Sequence, residues 1–162
     1  YLRVGVGGGG AFGAMTGAVA SDSAGAAIAS ELSIGTTLRP GLVFGGGTFP
    51  MVALAPSYDG ASAGGQHVSG TGPFVDYYPD PRGGLHLRAG VLFAAGYLDG
   101  SADRDGAVGL GIGATVGAGY DRFVADQWSV GAIARVTAYQ LAGVDDAIRL
   151  VAPALLVALT YH

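Results

Sequence analysis

Residues 107–121, AVGLGIGATVGAGYD, alternate strictly between two kinds of side chain. One set is apolar or aromatic and consists of Val108, Leu110, Ile112, Ala114, Val116, Ala118 and Tyr120. The other set is small or polar and consists of Gly109, Gly111, Gly113, Thr115, Gly117, Gly119 and Asp121. Because successive side chains of a β-strand point to opposite faces, this period of two predicts a strand with one apolar face and one small or polar face.

The same period recurs along the chain and divides it into eight predicted strands. They cover residues 1–12, 26–38, 42–54, 67–78, 84–98, 107–121, 128–141 and 148–162. The faces of the third and fourth strands are ambiguous. For the fourth we favour Val75 and Tyr77 outward, because the other choice turns Asp76 outward. Pro50 predicts a bulge in the third strand or its early end, since proline cannot donate to a strand ladder.

The composition excludes an ordinary soluble domain. Only 12% of the 162 residues are charged and 31 are Gly, whereas soluble domains carry about 25% charged residues. The longest charge-free runs, 4–21 and 40–58, are broken by Gly or Pro, which disfavours membrane helices. The absence of Cys excludes disulfides and thiolate catalysis, and the net charge of −4 argues against a nucleic-acid partner. We treat residues 1–162 as one domain.

The connections between the predicted strands differ in length by position. The even connections, 39–41, 79–83 and 122–127, are short and carry turn-forming residues, whereas the odd connections are mostly longer. Each strand is long enough to cross a bilayer, which takes roughly 9–11 residues. An open sheet edge is unfavourable in hydrocarbon, so the sheet must close. The sequence therefore predicts an eight-stranded antiparallel up-and-down transmembrane β-barrel, an all-β fold, with both termini at the short-turn end.

Aromatic residues concentrate near the short-turn end of these strands. Amphipathic rings gather where a membrane meets water, so we expect an interfacial belt there. The predicted belt consists of Tyr1, Tyr77, Tyr78, Tyr120, Phe123, Trp128 and Tyr161.

Three stretches resemble the small outer-membrane β-barrels of Gram-negative bacteria, the OmpA/OmpX-type group. The final stretch, VAPALLVALTYH (151–162), is similar to their C-terminal assembly signal, although His162 follows the aromatic residue on which that signal usually ends. GPFVDYYPDPRGGLHLRAG (72–90) and GYDRFVADQWSVGAIARV (119–136) are similar to repeated strand–turn–strand units of such barrels. The resemblance implies an outer-membrane location, with outer-membrane lipids, lipopolysaccharide and the barrel assembly machinery as partners. A homo-oligomer or an envelope protein complex stays open, and residue 1 is expected to follow processing.

Charged side chains fall on the predicted inward faces. The expected set is Arg3, Glu31, Asp76, His86, Arg88, Asp121 and Arg135. An eight-stranded barrel is just wide enough for side chains to fill, so we expect acid and Arg to pair across the lumen, Glu31 with Arg88 or Arg135. Inward glycines of the sixth strand leave volume that Arg88, Arg135 or Tyr139 could fill. Because of that volume, a narrow channel remains an alternative function.

Three further motifs suggest chemistry with less support. Gly8, Gly10 and Gly13 match G-x-G-x-x-G, but a dinucleotide fold needs amphipathic helices that the chain lacks. His67 and Ser69 share a strand face and resemble the His-x-Ser pair of lipid A deacylases, without an evident orienting acid. The acidic stretch DGSADRD (99–105) could bind a divalent cation but also fits a solvated loop.

We therefore expect a non-enzymatic outer-membrane protein with a structural or surface-presenting role and a largely filled lumen, without cofactor or metal. The alternatives are a narrow porin-like channel lined by Arg88, Arg135 and Glu31, and a lipid A-modifying enzyme that uses His67 and Ser69.

Overall fold

The computed structural model describes residues 1–16, 21–58, 61–62, 65–98, 107–142 and 147–162. It contains eight long strands. These are β1 (Leu2–Thr16), β2 (Ser21–Arg39), β3 (Leu42–Tyr58), β4 (Gln66–Tyr77), β5 (Leu85–Leu98), β6 (Ala107–Ala125), β7 (Trp128–Ala142) and β8 (Ala147–Tyr161). A two-residue strand, Ala61–Ser62, pairs with the end of β3.

The eight strands form a closed ring. Each strand pairs antiparallel with the next one along the chain. β1 also pairs with β8, where Leu2 lies opposite Tyr161 and Thr16 lies opposite Ala147. The prediction of an eight-stranded antiparallel up-and-down barrel is confirmed. Within the described residues, no helix has the length and apolar character needed to cross a membrane.

Alternate side chains point into the barrel and away from it, as the period of two requires. The outward Phe93 is 78% exposed, whereas its neighbour Leu92, which points inward, is 3% exposed. On β4, Val75 and Tyr77 face outward and Asp76 is buried. The G-x-G-x-x-G match lies within β1, where no helix follows it.

The expectation that Pro50 produces a bulge in its strand or ends it early is wrong. β3 runs through Pro50, which lies in register opposite Ser69 of β4. On the β2 side, by contrast, the rungs that would join Ser30 and Glu31 to Pro50 and Phe49 are absent. Proline lacks an N–H group, so it can break the ladder on one side and leave the other intact.

Several strands extend further than the alternation predicts. β1 ends at Thr16 instead of residue 12, and β2 begins at Ser21 instead of residue 26. β6 ends at Ala125 instead of residue 121, so that only the turn at residues 126–127 separates it from β7. Backbone pairing therefore continues into Gly-, Ala- and Ser-rich stretches whose side chains do not alternate in polarity.

The barrel interior has two layers. An apolar cluster fills most of the half nearer the odd connections, where Phe49, Met51, Leu92, Tyr139 and Leu150 pack together. The half nearer the short turns contains the buried charged residues. This division places the charged cluster between the apolar cluster and the short-turn end.

Candidate functional site

The structure brings all seven inward charged residues into one buried network. Their residues are at most 3% exposed. The members are Arg3 on β1, Glu31 on β2, Asp76 on β4, His86 and Arg88 on β5, Asp121 on β6 and Arg135 on β7. We call this set the lumen charge network. Six of the eight strands contribute to it, so it ties together walls that are distant along the chain.

Glu31 lies at the centre of the lumen charge network. Its Oε1 lies 2.8 Å from Arg3 Nε and 3.1 Å from Arg88 Nη1, and its Oε2 lies 3.0 Å from Arg135 Nη1. Glu31 thus contacts both of the arginines that the alternation suggests as partners, and Arg3 in addition. One carboxylate on β2 is thus joined to three other strands through charge-assisted hydrogen bonds.

The two aspartates extend the network toward the short turns. Arg88 Nη2 donates to Asp76 Oδ2 at 2.8 Å, and Arg3 Nη1 donates to Asp121 Oδ2 at 2.9 Å. His86 lies between these carboxylates, with Nδ1 2.8 Å from Asp76 and Nε2 3.7 Å from Asp121. Three arginines therefore face three carboxylates, and the charges balance before His86 is counted. Balanced pairing offsets the cost of burying these charges.

Tyr1 and Tyr78, expected in the outer aromatic belt, lie inside the barrel mouth instead. Tyr78 is 5% exposed, donates to Asp121 Oδ2 at 2.9 Å, and stacks on His86 at 5.1 Å between ring centroids. The Tyr1 hydroxyl donates to Asp76 at 2.8 Å and contacts Arg88 Nη2. Burial raises the pKa of the Tyr78 phenol, which keeps the proton that it donates. The physical reason for the inward position is that both aspartates need further donors.

The other aromatic residues surround the short-turn end. Tyr77, Tyr120 and Trp128 are exposed on the outward face, and Trp128 packs against Tyr161 at 5.2 Å. Phe123 is exposed at the mouth, where its ring lies 4.8 Å from His162. The arrangement fits an interfacial belt on the wall and an aromatic cover at the mouth.

His162 completes this cover. Its Nε2 lies 2.7 Å from Ser129 Oγ, and its ring contacts Tyr1 and Tyr78 edge-on. Burial lowers the pKa of His162, which favours a neutral ring next to the network.

Two long inward side chains of β7 reach across the lumen to the ladder gap at Pro50. Arg135 Nη2 donates to the Ser30 carbonyl at 3.3 Å, and the Tyr139 hydroxyl donates to the Phe49 carbonyl at 2.8 Å. Ser30 lies opposite Pro50, which has no N–H group to donate to the Ser30 carbonyl. Side chains from the facing wall thus supply hydrogen bonds beside the gap. Sequence reasoning missed these contacts because alternation does not reveal which walls face each other.

Inward glycines of β6 make room for side chains of β5 and β7. A Cβ at Gly113 would lie 2.7 Å from Tyr139 Cδ1, and a Cβ at Gly119 would lie 2.3 Å from His86 Nε2. Tyr139 therefore fills the volume beside Gly113, as the sequence suggests. The volume beside Gly119 is filled by His86 and not by Arg88 or Arg135.

The other candidate sites lie elsewhere. His67 and Ser69 lie on the outer face of β4, where Ser69 Oγ is 3.4 Å from Thr48 Oγ1 and no hydrogen bond joins the pair within the described chain. No group of three His, Asp or Glu residues in the described ranges could hold a metal ion. The acidic stretch 99–105 falls outside those ranges.

Comparison with known proteins identifies the fold. No protein-family model and no curated protein matches the chain. Among solved structures, Neisserial surface protein A aligns at a TM-score of 0.57 and 14% identity, covering 98% of this chain and 97% of that one. Ail, the attachment invasion locus protein of Yersinia pestis, solved with the heparin analogue sucrose octasulfate, aligns at 0.54 and 7%, covering 97% and 98%. Both are small eight-stranded bacterial outer-membrane barrels, and the likeness establishes that transmembrane barrel fold.

Proposed function

We propose that this chain is a non-enzymatic barrel protein of the bacterial outer membrane, with a structural or surface-presenting role and a sealed lumen. The observation that carries the proposal is the filling of the lumen by two layers in series. Most of the apolar cluster occupies one half, and the lumen charge network, packed against Phe74, occupies the other. An ion would have to displace both packed apolar side chains and paired charges to cross, which is unfavourable.

The apolar outer wall of the barrel supports the proposed location in the outer membrane. On β8, the outward side chains from Val151 to Leu159 are apolar and lie between Arg149 and Tyr161. On β7, those from Val130 to Ala138 lie between Gln140 and Trp128 in the same way. Twelve residue steps of about 3.3 Å, tilted by roughly 40°, span about 30 Å, which fits the apolar band of such barrels.

The names of the two structural neighbours favour a surface role. One is called a surface protein and the other an attachment invasion locus protein. From the proposed outer-membrane location, we propose outer-membrane lipids, lipopolysaccharide and the barrel assembly machinery as partners.

The first experiment fractionates cells that express the chain and analyses the outer membrane on gels before and after boiling. We expect the chain in the outer-membrane fraction with a mobility that shifts on boiling, because intact barrels resist unfolding in mild detergent. Vesicles containing the purified barrel should not swell in small sugars, whereas vesicles with a general porin should. Swelling comparable to the porin would support a channel instead.

The lipid A-modifying alternative is tested by the Ser69→Ala variant. Removal of the hydroxyl abolishes any role of Ser69 as a nucleophile. We expect the same lipid A profile by mass spectrometry in cells that express the parent chain and the variant. A modified lipid A species that disappears with the substitution would contradict the non-enzymatic proposal.

A further inference from the structure

A groove of about 720 Å³ crosses the outer wall over the adjacent strands β1, β8, β7 and β6. Its lining includes Gly8 and Gly10 on β1, Pro153 on β8, Ala134 on β7 and Val116 on β6. No residue of the opposite wall lines it, so the groove opens outward and not into the lumen. The wall is low here because two of these positions have no side chain and one has only a methyl group. We call this depression the wall groove.

The wall groove lies in the half of the wall nearer the odd connections. Gly8 lies opposite Leu155, which is midway between Arg149 and Tyr161 on β8. At about 3.3 Å per residue and a tilt of roughly 40°, Pro153 is about 10 Å and Leu155 about 15 Å from Arg149 along the barrel axis. The hydrocarbon of one leaflet is also about 15 Å deep. The groove therefore faces the leaflet at the odd connections, which are the extracellular ones in outer-membrane barrels of this kind.

An arginine stands at the headgroup end of the wall groove. Arg149 is exposed on the outward face of β8, opposite Gln140 of β7, and its guanidinium makes no ion pair within the described ranges of the chain. The outward Asp22 stands in the same row but two strands away, about 10 Å across the sheet. Below Arg149, Ala138 keeps the wall low as far as the groove. The site thus combines a cation at the headgroup level with an apolar groove in the hydrocarbon beneath it.

A lipid with a phosphate and an acyl chain matches both features. A guanidinium binds phosphate through charge-assisted hydrogen bonds, and it does so best at the edge of the hydrocarbon, where water screens the charge less. An acyl chain in the groove gains dispersion contacts on several sides, which it lacks on a flat wall. An apolar protein surface seated in the same groove would leave Arg149 without an anionic partner. Charge and depth therefore favour a lipid over a second protein.

We propose that the wall groove and Arg149 form a binding site for lipid A, with one acyl chain in the groove and a phosphate on the guanidinium. Lipid A is the phosphorylated, acylated anchor of lipopolysaccharide, and it belongs to the leaflet that the groove faces. A phospholipid of the other leaflet would have its phosphate at the short-turn end, far from Arg149. The inference rests on the proposed outer-membrane location and assigns a site to lipopolysaccharide, one of the partners proposed above.

The first test fills the wall groove. A Cβ at Gly8 would have no atom nearer than 3.8 Å, so the Gly8→Leu side chain projects into the groove without a clash at its base. Lipid A is titrated into the detergent-solubilised barrel, and bound lipid is counted by native mass spectrometry. We expect Gly8→Leu to lower the affinity by about tenfold or more. Gly46→Leu on β3, where a Cβ would have no atom nearer than 4.0 Å, is the matched control and should bind like the parent chain.

The second test removes the charge. Arg149→Gln should lower the affinity for lipid A by about fivefold, whereas Arg122→Gln, on the exposed face of β6 near the short turns, should leave it unchanged. Lipid A without phosphates should bind the parent chain and Arg149→Gln equally, because the arginine then has no anion to contact. Boiling-dependent mobility verifies that each variant is folded. Parent-like affinity in folded Gly8→Leu or Arg149→Gln, or equal losses in a variant and its control, would overturn the proposal.

Two further results separate the proposals. Phosphatidylglycerol that binds the parent chain as tightly as lipid A would overturn the assignment to lipid A. A folded barrel that fractionates with the outer membrane but binds no lipid A refutes the site and leaves the location standing. A chain that never reaches the outer membrane refutes the proposed function, whatever its affinity in detergent.

Discussion

Replacing Glu31 by Gln removes the carboxylate that contacts three arginines. Arg3 keeps Asp121 and Arg88 keeps Asp76, but Arg135 keeps no carboxylate, only the Ser30 carbonyl and the face of the Phe49 ring. Removal of one partner of a buried ion pair costs about 3–5 kcal/mol, and the uncompensated charge of Arg135 should dominate that cost here. We therefore expect Glu31→Gln to lower the free energy of unfolding by about 3–5 kcal/mol.

A double substitution tests the reasoning behind this value. Glu31→Gln combined with Arg135→Gln restores equal numbers of arginines and carboxylates in the lumen charge network. The double variant should recover at least about half of the lost stability, because the orphaned guanidinium is gone. Asp126→Asn, in the exposed β6–β7 turn, is the matched control and should change the stability by less than about 0.5 kcal/mol.

The assay is denaturant unfolding of the reconstituted barrel, followed by fluorescence of Trp128, the only tryptophan of the chain. Boiling-dependent mobility on gels reports the folded fraction independently. A Glu31→Gln variant within about 1 kcal/mol of the parent chain would refute the reasoning, since a buried network cannot lose its central charge so cheaply. A double variant no more stable than the single one would refute the role assigned to Arg135.

Three further substitutions test the β1–β8 seam and a hydrogen bond across the lumen. A Cβ at Gly9 would lie 2.0 Å from the Pro153 carbonyl oxygen across the β1–β8 seam, so Gly9→Ala should cost about 1–3 kcal/mol in the same unfolding assay. A Cβ at Gly8 has no neighbour nearer than 3.8 Å, so Gly8→Ala should be tolerated, and equal effects would contradict the seam geometry. Tyr139→Phe removes the donor to the Phe49 carbonyl and should cost about 0.5–1.5 kcal/mol; no loss would show that this bond contributes nothing.

The period of two predicted the wall of the barrel and the inward side of six of the seven charged residues in the lumen charge network. For Asp76 the alternation was ambiguous, and the inward side was chosen because the other choice exposes its charge. Arg88 and Asp121 could be assigned inward because strand parity is a local property of the sequence. Which inward residues meet across the lumen depends on strand tilt and stagger, which are properties of the closed ring. The contacts of Arg3 with Glu31 and of Tyr139 with Phe49 therefore required the structure.

The prediction placed Tyr1 and Tyr78 on the wrong side of the barrel wall for the same reason. Tyr1 and Tyr78 lie just outside their strands, where alternation no longer fixes the direction of a side chain. Their hydroxyls turn inward because buried carboxylates accept their hydrogen bonds.

Pro50 was expected to disturb its strand, but it needs only one side of the ladder to be interrupted. The carbonyl groups of Phe49 and Ser30, on either side of the ladder gap, accept hydrogen bonds from Tyr139 and Arg135 on the facing wall.

The sealed lumen is the central claim, and planar-bilayer recording tests it most directly. The purified barrel is inserted in a bilayer at neutral pH and moderate salt, with insertion verified by recovery of the boiling-dependent form from the same lipid. The account predicts a flat current at voltages where a general porin shows regular steps. Reproducible conductance steps from the folded barrel would contradict it and would mean that the lumen charge network lines an ion path.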